Sequence, residues 1–91
     1  MKIYNMTSSN GNRVPNQFII EDDQGSLYFQ SYQTIIAKKE RNNNGFIITL
    51  DRNAWDYSVT TGKYRNLFLG ETKAETLRKI KDGTYRLENL N

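Results

Sequence analysis

The sequence predicts an α+β fold, in which an antiparallel β-meander of four to five strands carries two short helices packed on one face. Two hairpin patterns occupy the first half of the chain, and two capped helical patterns with a short alternating segment occupy the second half. A length of 91 residues suits one small hydrophobic core. We therefore expect residues 1–91 to form a single domain.

The strand predictions rest on apolar runs that alternate with turn residues. The four runs are residues 18–20, 27–32, 34–40 and 46–50. Turns are predicted at Asp23-Gln24-Gly25-Ser26 and at Asn42-Asn43-Asn44-Gly45, and the second is a strong hairpin signal because Asn and Gly both tolerate positive φ. A short strand through Ile3 and Tyr4 is also compatible with residues 1–6.

The segment 7–16, TSSNGNRVPN, is predicted to be a loop. It is rich in Ser, Asn and Gly and contains the single proline of the chain, a composition typical of irregular connections. We expect it to be the most mobile part of the protein. No internal repeat or linker divides the rest of the sequence.

The stretch WDYSVTTGKYRNLFLG predicts the first helix, of roughly ten residues. Tyr64, Leu67 and Phe68 recur at helical spacing, and we expect Trp55, Tyr64 and Phe68 to cover the sheet. Gly70 lies where a glycine commonly ends a helix in the left-handed conformation.

The stretch ETKAETLRKIKDG predicts the second helix. Thr72 and Glu75 have the spacing of a capping box, and Gly83 ends the pattern. Its predicted buried face consists of Ala74, Leu77 and Ile80. The alternating segment TYRLENL that follows could add a closing strand.

The composition excludes several classes of chemistry. The chain contains no cysteine and no histidine, so it has no disulfide framework, thiolate nucleophile, Cys/His metal site or histidine base. No nucleophile elbow, phosphate-binding loop or dinucleotide motif is present. We therefore predict that the protein is not an enzyme and that it uses no cofactor and no metal.

Membrane association is not expected. No apolar run approaches the roughly 20 residues that span a bilayer. The N-terminal residues MKIYNMTSSN lack the apolar segment of a signal peptide. These features, with the absence of cysteine, predict a cytoplasmic protein.

The start of the first predicted helix is a candidate anion site. A helix N-terminus presents unpaired N–H groups and the positive end of the helix dipole. The hydroxyls of Ser58, Thr60 and Thr61 could add donors, and Lys63 and Arg65 could add positive charge. In the alternative, structural interpretation, Ser58 or Thr60 caps the helix and the two cations are solvated.

A basic set around the second helix is a candidate nucleic-acid site. The set consists of Lys73, Arg78, Lys79, Lys81 and Arg86. The alternative is a solvated face balanced by Glu71, Glu75 and Asp82. The net charge of +3 favours the alternative, because the basic excess is spread along the chain rather than concentrated in a stripe.

Exposed tyrosines are a third candidate site. In SLYFQSY, Tyr28, Gln30 and Tyr32 alternate with Leu27 and Phe29 and are expected to share one face of a strand. Such a face could stack nucleic-acid bases. The alternative is that the tyrosines flank a core or a protein interface.

Several short segments carry a family pattern over roughly residues 17–70. They are Ser31-Tyr32, Ile36-Ala37, Asp56-Tyr57-Ser58, Thr60-Thr61, Lys63-Tyr64 and Phe68-Leu69. The pattern resembles a family of small bacteriophage and bacterial proteins of unknown function. The resemblance implies no catalytic or binding residue. It implies a phage setting, in which small proteins without catalytic residues act by binding host machinery.

The leading hypothesis is a non-enzymatic, phage-type accessory protein in the cytoplasm of the bacterial host cell. It would bind and inhibit or modulate a host protein, for example an immune effector such as a CRISPR nuclease. The predicted contact surface uses Tyr28, Tyr32, Tyr57, Lys63 and Arg65, because Tyr and Arg are enriched among interface anchors. The alternatives are a nucleic-acid-binding module and a sequestering binder of an anionic nucleotide. The chain could be a monomer or a homodimer.

Overall fold

The computed structural model describes residues 1–91 as one six-stranded sheet with two helices. In chain order, the elements are β1 (Lys2–Thr7), β2 (Arg13–Glu21), β3 (Leu27–Ser31), β4 (Thr34–Asn42), β5 (Gly45–Asp51), α1 (Val59–Leu69), α2 (Lys73–Lys81) and β6 (Arg86–Glu88). The strands lie in sequence order, antiparallel from β1 to β5, with β6 parallel to β5. The α+β class is confirmed. The predicted count of four to five strands is too low because both terminal segments form strands.

Asp22 stabilises the turn between β2 and β3. Asp22 Oδ1 accepts hydrogen bonds from the backbone N–H groups of Gln24, at 3.0 Å, and Ser26, at 2.9 Å. Gly25 follows with a φ of 84°, which glycine adopts without steric cost. The turn therefore sets the register in which Phe29 of β3 lies opposite Ile19 of β2.

The predicted loop at residues 7–16 is shorter in the structure. Thr7 ends β1 and Arg13 begins β2, so only residues 8–12 form the connection. Pro15 lies inside β2, beside the point where the β1–β2 register shifts, and a strand tolerates proline at such an irregularity. The sequence pattern did not predict the first part of β2, because residues 13–17 are mostly polar and include a proline.

Both helices pack on one face of the sheet, as predicted. Phe29 of β3 and Phe68 of α1 join the two layers, with ring centroids 5.9 Å apart. Ile80 of α2 packs against the same core. The buried core consists of Met6, Phe29, Ile36, Ala37, Leu50, Ala54, Phe68 and Tyr85. The opposite face of the sheet carries no helix.

The ends of both helices agree with the sequence. Ser58 caps α1, its Oγ accepting a hydrogen bond from the Thr61 N–H at 3.1 Å, and Gly70 ends the helix with a φ of 72°. Thr72 and Glu75 form the complete capping box of α2. Neither helix has the length and apolar character that crossing a membrane requires.

Trp55, Tyr64 and Phe68 pack against the core as predicted, but both helices also bury polar side chains and leave a leucine exposed. In α1, Thr61, Arg65 and Phe68 are buried at i, i+4 and i+7, while Leu67 is 55% exposed. In α2, Thr76 is fully buried, while Leu77 is 46% exposed. Thr61, Thr76 and the two terminal nitrogens of Arg65 find hydrogen-bond partners, although Arg65 Nε does not, so burial does not require an apolar residue at those positions.

Candidate functional site

A groove of about 1110 Å³ runs along α1. We call it the α1 groove; it is bounded by α1, by the turn before α1 and by residues 7–9. The side chains that give it its chemistry are Tyr57, Val59, Lys63, Leu67 and Lys73. Val59 is 92% exposed and Leu67 is 55% exposed. Two large apolar side chains thus lie in the groove without a partner.

Arg65 lies beneath the groove rather than on its surface. Its side chain is 1% exposed. Nη1 donates hydrogen bonds to the Trp55 carbonyl oxygen at 2.7 Å and to Asp56 Oδ1 at 3.3 Å, and Nη2 donates to Asn66 Oδ1 at 3.0 Å. Arg65 was predicted to be an exposed interface anchor. The structure instead makes it an internal support of α1.

The groove lining carries three cations, Lys63, Arg65 and Lys73, against the two carboxylates of Asp56 and Glu71, an excess of one positive charge. Asp56 lies between Arg65 and Lys73, and its Oδ2 is 2.8 Å from Lys73 Nζ. The hydrogen bond from Lys73 holds the pKa of Asp56 below its usual range, and Arg65 adds to this effect against the opposing influence of burial. Lys63 has no carboxylate partner, and its Nζ lies 5.4 Å from the ring centroid of Tyr64. The first turn of α1 contains no acidic residue.

The predicted anion-binding set is only partly available to a ligand. The Ser58 hydroxyl oxygen accepts the Thr61 N–H, as in an ordinary N-cap. The Thr61 hydroxyl is buried and lies 2.9 Å from the Ser31 hydroxyl. Thr60 and Lys63 are the members whose side chains are exposed and make no hydrogen bond. The structural interpretation of Ser58 is therefore confirmed.

The predicted basic set does not form a continuous surface. Lys73 is paired with Asp56, and Lys79 is paired with Glu71 at 2.7 Å. Arg86 points to the helix-free face of the sheet, because its neighbour Leu87 packs into the core on the helix face. Arg78 and Lys81 remain as the exposed cations of α2 that make no ion pair.

The predicted tyrosine surface is divided between two faces of the protein. Tyr28 lies on the helix-free face, because the adjacent Phe29 packs against α1; its ring centroid is 5.3 Å from Lys38 Nζ. Tyr32 lies in the β3–β4 turn rather than in a strand. Tyr57 lines the α1 groove. Of the five predicted contact residues, the structure brings Tyr57 and Lys63 together on one exposed surface.

Glu71 is the centre of a buried hydrogen-bond network that the sequence pattern does not predict. Glu71 accepts hydrogen bonds from Thr76 Oγ1 at 2.6 Å, Lys79 Nζ at 2.7 Å and the Tyr85 hydroxyl at 2.6 Å. Burial alone would raise the pKa of Glu71, but these hydrogen bonds outweigh it and hold the pKa below its usual range. Tyr85 lies 14 residues away, so no local pattern could predict the contact. No group of three or more acidic side chains is arranged to hold a metal ion.

The fold and the groove define a two-layer α+β protein with an apolar, locally cationic cleft beside its first helix. The chain matches the family model described as "Family of unknown function (DUF8033)" over residues 1–83, and it belongs to this family. No curated protein and no solved structure matches the chain. Membership of a family of unknown function agrees with the resemblance stated above, whereas the phage setting stays a prediction.

Proposed function

We propose that this protein is a non-enzymatic binding protein that docks a partner protein in the α1 groove and thereby inhibits or modulates it. The observation that carries the proposal is the exposure of Val59 and Leu67 within one concave surface. Exposed apolar side chains that gather in a groove mark interaction sites more often than scattered ones do. Tyr57 adds an amphipathic ring of the kind that anchors protein interfaces.

The charge of the groove indicates the chemistry of the partner. Lys63 has no carboxylate partner, and the N-terminus of α1 lacks the acidic residue that would offset its dipole. A carboxylate of the partner placed between them would pair with Lys63 and also offset the positive end of the α1 dipole. We therefore propose a partner segment that combines apolar side chains with at least one Asp or Glu.

A protein partner is favoured over the two alternatives. A nucleotide phosphate would need the hydroxyls of Ser58 and Thr61, which are already engaged within the fold. A nucleic-acid backbone would need a continuous stripe of cations, and the ion pairs of Lys73 and Lys79 interrupt the basic set. The narrower prediction, that the partner is a host immune effector such as a CRISPR nuclease, rests on the resemblance alone.

The proposal is tested by capture of partners from bacterial lysate with tagged protein, after nuclease treatment and at two salt concentrations. Leu67→Glu places a charge in the groove, and Val59→Glu does so at the first residue of α1, where an acidic side chain also favours the helix. Both variants should lose the captured protein while circular dichroism shows an intact fold.

The matched control is Leu77→Glu, the same substitution at an exposed leucine of α2 outside the groove. Leu77→Glu should retain the captured protein. The proposal would be wrong if wild type and Leu67→Glu captured the same proteins, or if nuclease removed all captured material. Inhibition is then measured directly, as the activity of the identified partner with and without the purified protein.

A further inference from the structure

Tyr32 and Asn16 share an unusual backbone conformation and a hydrogen bond. They are the two non-glycine residues with positive φ, 56° for Tyr32 and 65° for Asn16. The Tyr32 N–H donates to the Asn16 carbonyl oxygen at 2.7 Å. Tyr32 is also the first residue of a two-residue hairpin loop, since Ser31 pairs with Thr34. Glycine is the residue preferred there when φ is positive, and a tyrosine is strained.

Packing within the fold does not account for Tyr32. Its side chain is 52% exposed, and its ring makes no aromatic contact. The hydrogen bonds of Tyr32 involve its backbone, through the N–H to Asn16 and through the carbonyl oxygen that accepts from Gln30 Nε2 at 2.8 Å. Strained residues persist where the surrounding structure holds them, and they concentrate at binding sites.

The exposed ring of Tyr32 borders a depression of about 560 Å³, which we call the Tyr32 depression. It is lined by Asn16, Phe18, Gln30, Tyr32, Gln33 and Thr34. Two of these side chains are aromatic, three end in an amide and one is a hydroxyl, and none is charged. The depression lies apart from the α1 groove, because Phe18 and Gln30 occupy the helix-free face of the sheet.

We infer that the Tyr32 depression binds an uncharged saccharide. An aromatic ring offers a flat apolar surface for the C–H face of a pyranose. An amide side chain carries a donor and an acceptor together, which matches a pair of neighbouring sugar hydroxyls. The lining supplies no cation for a phosphate or a carboxylate, so nucleotides and acidic sugars are disfavoured. The site is independent of the proposed protein partner.

The inference is tested by NMR titration with three neutral sugars, N-acetylglucosamine, maltose and cellobiose, and with adenosine as an uncharged nucleoside. At least one sugar should shift the side-chain amide signals of Asn16, Gln30 and Gln33 with a saturable dependence on concentration. Tyr32→Gly should weaken that binding at least tenfold. Its melting temperature should equal or exceed that of wild type, because glycine removes the strain.

Tyr4→Ala is the matched control, since Tyr4 is similarly exposed but lies on β1 outside the depression; it should bind the sugar as wild type does. Tyr32→Asn, which tolerates positive φ, serves as the second variant if Tyr32→Gly does not fold. The inference is overturned if no sugar shifts the three amides, if adenosine alone does so, or if both Tyr32 variants bind sugar like wild type.

Discussion

The guanidinium of Arg65 lies against the indole ring of Trp55, with Cζ 5.2 Å from the ring centroid, and Nη1 donates to the Trp55 carbonyl oxygen at 2.7 Å. One buried cation therefore binds both the side chain and the backbone of a single residue. Asp56 and Asn66 accept its remaining hydrogen bonds. The contact ties the turn before α1 to the middle of the helix, and so it fixes the side of α1 that lines the groove.

Replacement of Arg65 by methionine should lower the free energy of unfolding by about 1–3 kcal/mol. Methionine fills part of the volume of the arginine stem, but it leaves the Trp55 carbonyl oxygen without a hydrogen-bond donor. Asp56 then has Lys73 as its one remaining ion-pair partner. Removal of one partner from a buried charged contact is costly, because the remaining polar group keeps its desolvation penalty. Urea unfolding followed by Trp55 fluorescence measures the change.

Lys63→Met is the control, because Lys63 is exposed on the same helix and makes no ion pair. Its effect should stay within about 0.5 kcal/mol of wild type, as for most surface substitutions. Equal stability of Arg65→Met and Lys63→Met would show that the buried guanidinium adds nothing to the fold.

Gly62 faces the same guanidinium, and it should tolerate alanine. A Cβ at this position would lie 3.6 Å from both Nη1 and Nη2 of Arg65, an ordinary van der Waals distance. Gly62 lies inside α1 and has no positive φ, so alanine should stabilise the protein by about 0.5–1 kcal/mol through the lower conformational entropy of the unfolded chain. Thermal unfolding of Gly62→Ala beside wild type checks this.

Gly62→Leu provides the contrast, because its longer side chain would reach the Arg65 guanidinium and displace it. We expect this variant to be less stable than wild type. A loss of stability in Gly62→Ala would mean that the guanidinium requires a glycine at this position, and the expected gain would then be wrong.

The sequence predicted those parts of the fold that depend on neighbouring residues. The N-cap at Ser58 and the capping box at Thr72 and Glu75 follow from side chains that bond the backbone within a few positions. The left-handed Gly70 follows from the absence of a Cβ, which lets glycine end a helix at positive φ. The Asn43-Asn44 turn into Gly45 has the same local origin. These elements therefore lie at, or within a few residues of, their predicted positions.

The candidate site could be predicted only in part, because burial of polar side chains depends on distant partners. Thr61 is buried because Ser31, 30 residues earlier, supplies a hydrogen bond. Arg65 is buried because the chain before α1 turns back over it. With Thr61 and Arg65 on the buried side of α1, Leu67 is left in the groove despite its apolar character. A helical pattern of apolar residues contains no information about such contacts.

The hydrogen bond between Tyr85 and Glu71 should make the protein lose stability in alkaline solution. The Tyr85 hydroxyl donates to Glu71 Oε1 at 2.6 Å. Burial, reinforced by the Glu71 carboxylate, raises the pKa of Tyr85 from 10.0 to about 12. A raised pKa in the folded state means that the neutral phenol is favoured by folding. Its contribution is therefore complete below about pH 10 and is lost as the pH rises through about 12.

Wild type and Tyr85→Phe should consequently differ in how their free energies of unfolding depend on pH. Between about pH 10 and pH 12, wild type should lose roughly 2 kcal/mol more than Tyr85→Phe, which has no phenol to ionise. Lysines distant from Tyr85 titrate alike in both proteins, so the difference reports Tyr85 together with Lys79, whose pKa is raised by Glu71 and by Tyr85. Tyr4→Phe, a matched change at an exposed tyrosine, should follow wild type. Parallel pH profiles for wild type and Tyr85→Phe would contradict the prediction, because they would mean that folding does not favour the neutral Tyr85 phenol.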